Sequence, residues 1–141
     1  MSVLAQNREI LRLLSIRQTA AERALAGLMQ RKRQLLERRD RYRADAAVAM
    51  PASAAPTGGE LRATARAAAA WRAEATRCNE ALVALQPEIA AGEAALAAVI
   101  RKVTALEAII ARLEHQEFQA AEEREDDALL DIVQIRDRQK G

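Results

Sequence analysis

The feature that most constrains this chain is a single punctuated segment, Pro51-Ala-Ser-Ala-Ala-Pro-Thr-Gly-Gly59, with heptad-patterned sequence on both sides of it. Proline lacks an amide donor and biases the residue before it away from helix, so a first helix is expected over about 3–50. A second is expected over about 60–137, with residues 51–59 as the loop. Thr57 and Glu60 have the spacing of a capping box, which places a helix start at the end of the loop.

Before the loop, Leu4, Leu11, Leu25, Lys32 and Arg39 lie on one row of seven-residue spacing, and Leu14, Ala21, Leu28, Leu35 and Tyr42 lie on another. After it, steps of three and four run from Leu61 through Thr64, Ala68, Trp71, Ala75, Cys78, Leu82, Leu85, Ile89, Gly92, Leu96, Val99, Val103, Leu106 and Ile110 to Leu113. These are the a and d rows of a coiled coil. The expectation is an all-α, elongated two-helix antiparallel coiled-coil hairpin forming one domain over 1–141. Its second helix is the longer one, with a kink or local break at Pro87. Folding about residue 55 sets residue i opposite 110 − i, so Leu4 meets Leu106, Leu25 meets Leu85, Leu28 meets Leu82 and Gln18 meets Gly92. Sliding by a whole heptad keeps the same faces together, so periodicity leaves that choice to the loop.

Composition agrees with a helical rod. Half the residues are hydrophobic, but 34 are alanine and only Tyr42, Trp71 and Phe118 are aromatic, so the apolar material for a compact core is thin. No stretch approaches the ~18 apolar residues of a membrane span, and Cys78 is the single cysteine. A soluble, cytosolic protein without membrane insertion is expected. Residues 1–50 carry net +6 and residues 101–141 net −3, an asymmetry that antiparallel arms neutralise against each other.

Signatures of catalysis and of cofactor or metal binding are missing: the sequence has no phosphate-cradling glycine loop, nucleophile elbow or zinc spacing. His115 falls on an outward position, and the acidic run Glu122 to Asp127 lacks the glycine turn of a calcium loop. A non-enzyme with no cofactor is expected. The basic run of Arg31, Lys32, Arg33, Arg38, Arg39, Arg41 and Arg43 is interrupted by Glu37, Asp40 and Asp45 and has no interleaved aromatic stacking platform, which favours a charged coiled-coil surface over nucleic-acid binding. Lys32 and Arg39, at seam positions, are expected to face Cys78 and Trp71, with Arg39 over Trp71 as a cation–π pair; the alternative is that both long stems snorkel past the seam. Trp71 itself reads either as a core anchor or as an exposed contact for a partner. Past Leu113 the seam positions become charged, and a displaced apolar stripe of Phe118, Ala121, Ala128, Ile132 and Ile135 needs a partner of its own.

With its charged two-helix coil, its proline-bearing loop and the ending Glu122-Glu-Arg-Glu-Asp-Asp127, Asp131, Arg136-Asp-Arg138, the chain resembles the FliJ and YscO stalk proteins of flagellar and virulence type III secretion. The resemblance implies a cytoplasmic protein, peripheral to the inner-membrane apparatus, that links a hexameric secretion ATPase to the membrane export gate and promotes hydrolysis and export. It implies ATPase contacts at Arg8, Arg12, Arg17, Glu122, Glu125 and Asp131, and export-gate contacts at Trp71, Ala75, Cys78 and Leu82. It also implies chaperone binding, on no particular residues. A generic coiled-coil scaffold or assembly chaperone remains the alternative, and a basic nucleic-acid-binding hairpin is the less favoured one.

Overall fold

The structure, a computed structural model, describes residues 2–140 and is all-helical, with two long helices, α1 (Val3–Ala47) and α2 (Gly58–Lys140). Ser2 caps α1 by accepting from the Ala5 amide at 3.1 Å, a start signal that heptad reading does not register. The last turn closes with Val48 N–H on the Ala44 carbonyl, so α1 stops three residues short of Met50. Thr57 caps α2 as expected, its hydroxyl accepting from the Glu60 amide at 3.2 Å, and Glu60 lies in the first turn where a negative charge favours the helix dipole.

Pro87 lies inside α2, which runs through it with no break. The expected local break is therefore absent. The carbonyl that loses its amide partner belongs to Val83, and both Val83 and Pro87 are exposed, so water can take over that bond.

The chain divides into two compact units, Met1–Gln18 with Ala98–Gly141, and Thr19–Ala97. In the first, Leu4, Leu106 and Ile110 are buried together and Leu11, Leu14 and Leu113 pack against them. Leu4 therefore shares a cluster with Leu106, and with Ile110 one turn further along α2. Leu113 is the last residue of α2 that is not exposed.

In the second unit Ala68, Ala75, Cys78 and Leu85 are buried, all on the expected rows, and Ala46 continues the row of Arg39 one heptad further. The phase of the coil is as read from the sequence, but the register is not. Gly92 lies against Leu25 and Leu28, at 3.4 and 3.7 Å from the position a Cβ would take, and not against Gln18. Leu25 is one heptad beyond Gln18. Likewise Arg39 reaches Asn79 and Tyr42 reaches Trp71, each on the same side of the expected alignment. The loop supplies the cause. Pro51, Ala52 and Ser53 lie beside Glu60, Ala63 and Thr64, so the connection runs along the first turns of α2 instead of turning tightly at its start.

Gly27 sits in mid-α1 with no atom near the position of an added methyl. Replacing it with alanine removes backbone entropy from the unfolded chain without a clash, so Gly27→Ala is expected to stabilise the protein by about 0.5–1 kcal/mol in denaturant unfolding.

Candidate interaction surface

All six residues that the resemblance assigns to an ATPase lie in the first unit, and all are exposed. Arg8 pairs with Glu114 across the two helices at 3.0 Å, and Arg12 pairs with Glu9 one turn away at 2.6 Å. The Arg12 guanidinium, chiefly by hydrogen bonding, holds the Glu9 carboxyl below its ordinary value, and Glu9 in turn raises Arg12. The Glu9 contribution is present above the ordinary glutamate range and is lost as pH falls through the lowered value. Exposed pairs of this kind add little to stability. Arg17 stands open on α1.

From Glu114 to Lys140 every residue of α2 is exposed, including Glu122, Glu125 and Asp131. The displaced stripe is open too: Phe118 is 61% exposed, Ile132 57% and Ile135 55%. Leu129, Leu130 and Val133 are exposed beside it. They belong to no seam row, which is why heptad reading passed over them. An additional exposed apolar group on α1, Val3, Ile10, Leu13 and Ile16, also escaped that reading because the seam row of Leu4, Leu11 and Leu14 lies beside it. His115 is exposed. Among the described residues no helix is long and apolar enough to cross a membrane.

The residues assigned to an export gate fall in the second unit and do not form one open row. Ala75 and Cys78 are closed into the seam and Leu82 is half-buried, so they offer a partner little surface. Trp71 remains 38% exposed. Its ring stacks on Tyr42 with centroids 5.7 Å apart and planes at 19°. The expected Arg39–Trp71 cation–π pair is replaced: Arg39 donates to Asp40 and, at 3.3 Å, to Asn79, and the register shift brings Tyr42 to the tryptophan instead. Trp71 is thus stacked on Tyr42 while more than a third of it stays open. Lys32, expected to face Cys78, is exposed and lines a shallow groove with Leu36, Arg39, Asn79 and Leu82.

Compared with known proteins, the chain matches no family model, no curated protein and no solved structure. Its surface chemistry is therefore what bears on function.

Proposed function

We propose that this chain is a non-catalytic stalk or adaptor of the type III secretion kind, which engages a hexameric secretion ATPase through its first unit and promotes hydrolysis and export. The observation that carries this reading is the state of α2 beyond Leu113: a helical segment ending at Lys140 in which apolar and charged side chains alike are open to a partner. A helix with no tertiary packing is marginal in water unless something binds it. Acidic Glu122 to Asp127, then basic Arg136 and Arg138, together with Arg8, Arg12 and Arg17 on α1, suit a polar pore of mixed sign. Hydrolysis belongs to the ATPase, and this chain acts by position and charge on the cytoplasmic side of the apparatus. Trp71, still 38% exposed, is the one member of the implied gate row that keeps substantial surface for the export gate.

Adding the purified chain to a secretion ATPase is expected to raise its hydrolysis rate or its hexamer fraction. An ATPase indifferent to the full-length chain removes the proposal and leaves the coiled-coil scaffold reading, which the apolar stripe also supports.

A further inference from the structure

The open segment of α2 carries its own heptad. Phe118, Ala121, Glu125, Ala128, Ile132 and Ile135 follow steps of three and four, displaced by one residue from the seam that ends at Leu113. The g-type positions of this heptad are Glu117, Arg124, Asp131 and Arg138. Among the described residues none of these four is in an ion pair, and Arg124 bonds only to the Ala120 carbonyl of its own helix at 3.2 Å.

We propose that in the free protein this stripe is covered by the same stripe of a second copy, running antiparallel. The pairing layers are then Phe118 with Ile135 of the second copy, Ala121 with Ile132, and Glu125 with Ala128, each occurring twice by symmetry. Large side chains meet large at the ends, and in the middle each glutamate meets a small alanine that leaves its carboxylate room to reach water. In an antiparallel coil g positions face g positions. Glu117 therefore meets Arg138 and Arg124 meets Asp131, giving four opposite-sign pairs over the two-fold interface.

The same residues reject the alternatives. Sliding the partner by one heptad sets Arg124 against Arg124 and Glu117 against Asp131. Sliding it the other way sets Asp131 against Asp131 and Arg124 against Arg138. A parallel pair stacks Glu125 on Glu125 and brings Glu117 to Glu122. Of these three antiparallel alignments only the first joins opposite charges throughout, and like charges at such positions oppose association. A partner also relieves the segment itself, since Glu122 with Asp126, Glu123 with Asp127 and Asp127 with Asp131 are like-charge neighbours one turn apart that weaken an isolated helix. This inference rests on exposure and charge order alone and does not depend on the partner ATPase.

Sedimentation velocity of the full-length chain over a concentration series tests it. The wild type is expected to move from monomer to dimer as concentration rises. Arg124→Glu and Asp131→Arg each convert two attractive pairs into repulsive ones and are expected to weaken dimerisation by about tenfold or more. Both positions are exposed, and circular dichroism is expected to show each variant still helical. The double variant Arg124→Glu/Asp131→Arg restores opposite signs and is expected to restore the dimer. A chain that stays monomeric throughout overturns the proposal. So does a dimer that either single variant leaves intact, or one that the double variant does not recover.

Discussion

Removing residues 118–140 is expected to abolish the proposed stimulation of a secretion ATPase while leaving the paired part of the first unit folded. The reason lies in where burial stops. Leu4, Leu106 and Ile110, with Leu11, Leu14 and Leu113 against them, are all retained by the truncated chain, whereas none of the deleted residues is buried. The deletion therefore removes no buried residue and takes away the exposed stripe and seven of the chain's 20 acidic side chains. Thermal unfolding followed by circular dichroism is expected to show a smaller helical signal with a transition within a few degrees of wild type. Hydrolysis assays with and without the truncated chain supply the functional half. Undiminished stimulation would show that the segment is not what the ATPase engages.

The largest expected loss of stability comes from Leu85→Ala. Leu85 is 3% exposed, the lowest value among the buried side chains, and its row neighbours Cys78, Leu82 and Ile89 are buried or half-buried beside it. Leucine-to-alanine changes in cores cost about 2–5 kcal/mol; in a two-helix seam, where water can reach the gap, the lower part of that range applies, about 2–3 kcal/mol. Val83→Ala, two residues away on an exposed face, is the control and is expected to stay within about 0.5 kcal/mol of wild type. Denaturant midpoints at constant m-value measure both. Equal losses at the two positions would mean that the inward face of α2 is not the one described.

Much of the fold was legible because a coiled coil writes its inward face into the sequence at fixed spacing. Ala68, Ala75, Cys78, Leu85, Val103, Leu106 and Ile110 all sit on the rows read from periodicity, and the row breaks at Leu113, where burial ends. The Thr57 cap was readable because a hydroxyl three residues before the Glu60 amide has a local partner wherever the rest of the chain goes. Register was not readable. A shift of seven residues returns the same kind of side chain to each facing position, so Gly92 meets Leu25 as comfortably as it would meet Gln18. What decides is the course of residues 48–57, and proline and glycine announce a turn without saying along which helix it lies. The Tyr42–Trp71 stack was missed for the same reason. Of the surface residues, the charged set was legible as exposed, whereas Ile10, Leu13 and Ile16 were hidden among a seam of the same composition.

The connection that lies along the first turns of α2 also bears on how a lineage of such chains can change length. Because the two strands of the coil are indexed only modulo seven, a duplication or loss of one heptad in either helix returns every downstream side chain to an equivalent neighbour. Gains or losses of one or two residues rotate the helix and turn its apolar edge away from the seam, and those of three or four are absorbed only by local over- or unwinding. Sister sequences should therefore differ in arm length by multiples of seven, and the connecting segment should absorb whatever remains.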